Sequence, residues 1–153
     1  MRADFELKTY SHKLWGIGFY TVLNSANQKM GMVGPIVMKV ENNLPTEVEL
    51  GFYLCKKAQG KSLGYDSLFL AGKYAFDKVK SINLAWGTAL SNNLASQYIM
   101  LKGGLSYKGK KERKGGLPAN YYEITRNDIS NYDNNTKERT QNISTVLREI
   151  LNS

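Results

Sequence analysis

Apolar and polar positions repeat along this chain with two different periods, and the switches between them mark its elements. Phe5 to Tyr10 alternates weakly, as a short strand does. Leu14 to Leu23 is apolar and rich in aromatic and β-branched residues, which predicts a strand. Polar Asn24 to Lys29 is a turn, and Met30 to Val40 returns as a second strand, so the two form a hairpin. Pro35 places part of that second strand at an edge or a bulge, because proline has no N–H for a ladder. The loop ENNLP follows. Glu47 to Cys55 is then a strand with Glu47 and Glu49 on one face and Val48 and Leu50 on the other.

After a glycine-rich turn the period lengthens. Leu68, Ala71, Ala75 and Val79, with Leu70 and Tyr74, predict a helix from Gly64 to Val79 packed through that face. Ser81 to Leu90 is a strand, and Leu94 to Lys102 is a helix that starts at Ser-Asn-Asn and stops at Gly103-Gly104. Leu105 to Lys108 resumes as a strand, GKKERKGGLPAN is a basic turn, and Tyr121 to Arg126 is the returning strand. NDISNYDNN is a linker. A last helix starts near Asn135, with Glu138 placed as in a capping box, and carries the stripe Ile143, Val146, Leu147, Ile150 and Leu151. That stripe is to be buried on this domain or on a partner, so a homodimer through the last helix is one expectation. The order predicts an α/β (α+β) fold: a largely antiparallel sheet with one parallel crossover, flanked by helices, plus an extra C-terminal helix. Residues 1–130 form the domain and residues 131–153 the linker and amphipathic helix.

Composition narrows the setting more than the function. With 153 residues, 42% hydrophobic and 22% charged, the chain has material for one domain with a real core. No run reaches the ~18 apolar residues of a membrane span. MRADFELKTYSHK contains acids and lacks the apolar stretch of a secretory signal, so a cytoplasmic setting is expected. Cys55 is the only cysteine and His12 the only histidine. A Cys–His nucleophile pair would need a long-range contact, and a buried structural cysteine is the simpler reading. No metal site is expected from this set.

The net charge of +8 suits polyanions in general. Its densest source, Lys108, Lys110, Lys111, Arg113 and Lys114 against Glu112, could meet RNA, a nucleotide-sugar phosphate, an adenosine phosphate or an acidic protein. It is also what a solvated hairpin tip looks like. No basic motif interleaved with aromatic residues points to nucleic acid, so an RNA- or ribosome-binding role ranks last.

The stretch KKAQGKSLGYD, between a strand and a helix, offers more chemistry. A loop that feeds a helix N-terminus presents N–H groups and partial positive charge to an anion. Gly60 and Gly64 let backbone approach a ligand, and Lys56, Lys57 and Lys61 add charge. The stretch lacks the Gly-Lys-Ser/Thr of a P-loop, and the chain has no GxGxxG. An ordinary turn with a helix cap is the alternative.

Three segments in order resemble the GNAT superfamily of acyl-CoA-dependent N-acetyltransferases. Gln59-Gly60-Lys61-Ser62-Leu63-Gly64 is similar to its Gln/Arg-x-x-Gly-x-Gly/Ala loop. VELGFYL looks like its central strand, in the form common in the RimJ/RimL-like branch. Asn93, Ala95, Ser96, Lys102 and Gly104 are in register with that branch's N-x-A-S-x-x-x-x-x-K-x-G-F segment, and Tyr121-Tyr122-Glu123-Ile124 resembles the closing strand.

The resemblance implies acetyl-CoA as acetyl donor and an amine, a protein N-terminus or a small molecule, as acceptor. It places the pyrophosphate on the backbone from Gly60 to Tyr65, with Gln59, Lys61, Ser62, Leu63 and Gly64 in that loop. The pantetheine arm lies beside Phe52, Tyr53, Leu54 and Cys55, where the central strand splays from its neighbour, and Asn93 contacts the arm. Glu49 matches the central-strand acid that some members use as base, with Glu47 an alternative, and Ser96 matches the residue implicated near the thiol. The tyrosine that many members use as proton donor, seven residues after the motif asparagine, is Met100 here, and Tyr98 lies near. The first motif glycine is Ser62. The branch's first strand and two helices would be missing before the hairpin, leaving an acceptor site that is open, completed by a partner or rebuilt by the last helix. An inactive CoA-binding module is therefore the second expectation.

Overall fold

The computed structural model describes residues 11–113, 115–132, 143, 145–150 and 152. The strands are β1 (Tyr20–Leu23), β2 (Lys29–Glu41), β3 (Leu44–Leu54), β4 (Leu84–Leu90), β5 (Ser106–Glu112) and β6 (Pro118–Thr125). The helices are α1 (Leu63–Lys78), α2 (Leu94–Lys102) and α3 (Arg126–Ser130), and a 3-10 turn spans Lys56–Ala58. The six strands form one sheet in the order β1-β2-β3-β4-β6-β5. Among the described strands only β3 and β4 run parallel, joined by the crossover through α1. This is the expected mixed, mostly antiparallel sheet flanked by helices.

The alternation in β3 sorts its side chains as expected. Val48, Leu50 and Leu54 are buried, and α1 lays Leu68, Ala71, Ala75 and Phe76 into the same core. Leu70 and Tyr74 depart from the expected packed face. They are exposed, because at 100° per residue they turn away from the sheet, and they line a groove against β1 instead. Ile143 and Ile150 of the C-terminal stripe are buried in the core of this same chain, with Val146 and Leu147 packed against it. Leu151 and the expected helix start near Asn135 lie outside the described residues, as does the expected strand from Phe5 to Tyr10.

Several boundaries differ from the sequence reading. The run from Leu14 to Leu23 is not one strand: residues 11–15 are helical, and Ile17 is fully buried before β1 begins. Gly16, at φ +71°, ends that helical turn with its N–H donated to the His12 carbonyl. Pro35 lies beyond the last β1 partner, Val33, where β2 is paired only with β3. The ENNLP loop contracts to a tight turn, with Asn42 and Asn43 both at positive φ, which asparagine tolerates. The strand expected from Ser81 begins at Leu84; Ser81 Oγ donates to the Pro45 carbonyl instead.

The basic stretch is not a long turn. β5 continues through it to Glu112 and β6 starts at Pro118. The first part of the expected linker is the short helix α3, closed by a capping box between Thr125 and Asp128. Just inside it, the Arg126 guanidinium donates to the carbonyls of Phe76, Lys80 and Ile82. A cation at those C-terminal carbonyls fixes the end of α1.

Candidate functional site

The site is built on a gap in the sheet. β3 and β4 pair only through Glu47 with Leu84, Val48 with Ala85, and Glu49 with Trp86. Beyond that row β3 continues to Leu54 on β2 alone, and β4 continues to Leu90 on β6 alone. The two strands splay, and a strand edge on each side faces the opening.

A cleft of about 670 Å³ occupies that opening. Phe52, Tyr53 and Leu54 line it from β3; Gln59, Gly60, Lys61, Ser62 and Tyr65 from the loop and the start of α1; and Asn93 and Ser96 from α2. Cys55, Leu63 and Gly64 do not line it. Cys55 and Leu63 are half-buried against the core. Gly64 is buried where α1 meets α2: a Cβ there would stand 2.9 Å from Ile99 Cδ1 and 3.2 Å from Leu54 Cδ1. Its small size serves helix packing. Gly60 is the opposite case, with φ +72° and open space where a Cβ would stand. Its conformation, which other residues adopt at a cost, turns the loop.

Ser62 sits at the N-cap of α1 with φ −64° and ψ −11°, a region open to any residue. A serine in place of glycine is therefore unstrained. Its hydroxyl makes no capping hydrogen bond. The Gln59 amide donates to the Leu54 carbonyl at 3.3 Å, which ties the loop back to the end of β3. Tyr65 and Tyr98 meet edge to face at 6.4 Å at one wall of the cleft, with Lys102 Nζ 5.6 Å from the Tyr65 ring centre.

Asn93 caps α2: its Oδ1 accepts from the Ser96 N–H at 3.1 Å. The cap is held from behind by a buried polar hub that sequence reasoning missed. The Gln97 amide donates to the Ser91 carbonyl at 3.0 Å. Gln97 Oε1 accepts from Asn120 Nδ2 at 2.6 Å and from the Tyr122 hydroxyl at 2.9 Å. All three side chains are almost wholly buried. A glutamine on a short helix resembles a surface residue in sequence, and its partners are 23 and 25 residues away.

A smaller cavity of about 220 Å³ opens at the splay, and it brings together the two expected catalytic residues, Glu49 and Ser96. Thr88, Met100 and Arg113 line it as well. Glu47 does not; it lies 3.6 Å from Lys39 Nζ. Glu49, Trp86 and Glu123 form one row across β3, β4 and β6, so carboxylates flank the indole on one face of the sheet. Tyr121 stands beside this row, and its hydroxyl is pushed up from the ordinary tyrosine range by burial first, then by hydrogen bonding to Glu123 and its charge. Lys111 Nζ lies 3.5 Å from the Tyr121 ring centre and 5.8 Å from that of Trp86. Met100, only 2% exposed, has no proton to donate.

A family profile described as an acetyltransferase (GNAT) domain matches residues 2–106. Solved structures share the fold. A ribosomal-protein-S5-alanine acetyltransferase from Vibrio fischeri has a TM-score of 0.65 at 13% identity, over 84% of this chain and 70% of that one. A spermidine N-acetyltransferase from Vibrio cholerae, in complex with CoA and spermine, has 0.65 at 15% identity, over 83% and 76%. An aminoglycoside acetyltransferase in complex with coenzyme A and kanamycin has 0.67 at 16% identity, over 87% and 81%. No curated protein matches the sequence. The profile spans well over half of the chain, and the chain belongs to the GNAT family of acetyltransferases.

Proposed function

We propose that this protein is an acetyl-CoA-dependent N-acetyltransferase of RimJ/RimL-like type that acts on a protein N-terminus or a small amine. The observation that carries this reading is the splay, with an uncapped helix start at one end and Glu49 at the other. The cleft fits the donor substrate. Strand edges at Phe52 to Leu54 suit the amides of the pantetheine arm, and the loop from Gly60 to Tyr65 suits the pyrophosphate. Asn93 keeps its amide N–H groups for the arm while its oxygen caps α2.

In this reading the acceptor attacks as a neutral amine, its ammonium form having lost one proton to solvent, and Glu49 takes the proton the nitrogen loses as the C–N bond forms, directly or through water. Ser96 faces the same cavity and orients the reacting end of the donor. The carboxylates flanking Trp86 favour a cationic acceptor approaching on that face. A cytoplasmic location is part of the proposal, whereas the burial of Ile143 and Ile150 in this chain's own core removes the ground for a dimer through the C-terminal helix. No helix among the described residues is long and apolar enough to cross a membrane.

The experiment is acetyl-CoA turnover against a panel of peptides with free N-termini, polyamines and other small amines. Product with one class supports the reading and names the acceptor. Acetyl-CoA binding without turnover on any member favours the inactive CoA-binding module, the reading that Met100 supports.

A further inference from the structure

We propose that Arg113 is a catalytic residue of the acetyl transfer, its guanidinium holding the negative charge that departs on the CoA sulfur. This rests on the acetyl-CoA reading of the cleft.

Arg113 belongs to the basic stretch at the hairpin tip and is exposed, and the fold brings that tip to the sheet gap. It lines the 220 Å³ cavity together with Glu49 and Ser96. The hairpin that carries it is closed at this residue: its N–H donates to the Leu117 carbonyl at 2.9 Å, and its carbonyl accepts from the Gly116 N–H at 2.9 Å. Two residues back, Lys111 rests on the Tyr121 ring. This arm of the hairpin is anchored to the sheet face beside the gap.

The charges around the cavity give Arg113 its role. Among the described residues, the charged side chains lining it are Glu49 from β3 and Arg113 from the hairpin; β4 contributes Thr88, and Asn93, Ser96 and Met100 come from the start and body of α2, all neutral. In the transfer, the amine lone pair forms the C–N bond at the thioester carbonyl carbon. The C–S bond breaks and leaves its electron pair on sulfur. The proton lost by the amine goes to the Glu49 carboxylate. Met100 cannot protonate the sulfur, and a serine hydroxyl is a far weaker acid than a thiol. A guanidinium keeps its own proton near neutral pH, so Arg113 stabilises the thiolate by charge. The thiolate takes its proton later from water.

The test compares CoA with desulfo-CoA, which lacks the thiol, by calorimetry across the pH range in which the thiol ionises. In the wild type the preference for CoA grows as pH rises. In Arg113→Gln that growth shrinks about tenfold, the equivalent of one pKa unit from a nearby cation, and Arg113→Lys keeps part of it. A preference that grows equally in wild type and Arg113→Gln overturns the assignment and leaves the cofactor reading standing. Equal loss of both ligands in Arg113→Gln also overturns it, because the residue then acts on the fold and not on the sulfur. A wild type that binds neither ligand overturns the cofactor reading and this assignment together.

Discussion

Replacing Gln97 by Met tests whether the buried polar hub holds the α2 end of the site. Methionine keeps the volume and the apolar stem but removes both the amide and the carbonyl. Three partners lose a bond: Ser91 O, Asn120 Nδ2 and the Tyr122 hydroxyl. Ser91 is exposed and its carbonyl can turn to water, so its loss costs little. Asn120 and Tyr122 are 1% and 0% exposed, so water does not reach them. A buried donor left without a partner costs about 1–3 kcal/mol, so the two together cost roughly 2–6 kcal/mol. Taking ~3 kcal/mol, and about 2–4 °C per kcal/mol for a chain of this size, Tm falls by roughly 6–12 °C. Thermal and urea unfolding of the wild type, Gln97→Met, Tyr122→Phe and the double variant form the assay. Tyr122→Phe should cost at least ~1 kcal/mol less in the Gln97→Met background than in the wild type, because the orphaned hydroxyl goes with it. A loss below ~1 kcal/mol for Gln97→Met, or strictly additive costs, would refute the reasoning.

Other consequences can be measured separately. Glu49→Gln should lower kcat by about 10²–10⁴ while leaving acetyl-CoA affinity unchanged, and Glu47→Gln should change kcat by less than about threefold; equal losses would remove Glu49 as base. Gly64→Ala should cost about 1–3 kcal/mol from the 2.9 Å approach to Ile99 Cδ1, and Ile99→Val, which removes that atom, should recover part of it in unfolding experiments. Tyr20, whose hydroxyl donates to the Gly16 carbonyl at 3.0 Å, is pushed up to about 12, by burial first and then by Tyr74. The unfolded chain releases this proton first, near pH 10. The stabilisation is therefore complete below about pH 10 and lost as pH rises towards about 12. Tyr20→Phe should flatten the fall in urea midpoint across that window, and an unchanged slope would contradict the assignment.

What could be read in the sequence follows from how local each signal is. Helix α2 was bounded correctly because Asn93 and Gly103-Gly104 are local punctuation at its two ends. The crossover and the sheet type followed from element order, and the loop at Gln59 from its resemblance to a family motif. Other features also carry local signals: Thr125 and Asp128 stand three apart as in a capping box, and Asn42-Asn43 is a turn pair. The remaining misses depend on distance. Nothing near Gln97 announces Asn120 and Tyr122, and nothing near Arg113 announces Glu49. Apolar content alone could not separate Ile17, buried outside any strand, from the strand residues that follow it. Nothing near Gly64 announces that its small size also accommodates Ile99, a side chain on the other helix.

The most direct test of the acetyl-CoA cradle is a calorimetric titration with acetyl-CoA on the wild type and Ser62→Asp. An aspartate at this helix start suits the free protein, since its charge complements the helix dipole. The same carboxylate opposes a pyrophosphate at that position. The account predicts binding by the wild type, and at least tenfold weaker binding by a Ser62→Asp protein that melts no lower, a difference of about 1.4 kcal/mol. Equal affinity in the two proteins, or no binding by the wild type, would contradict it.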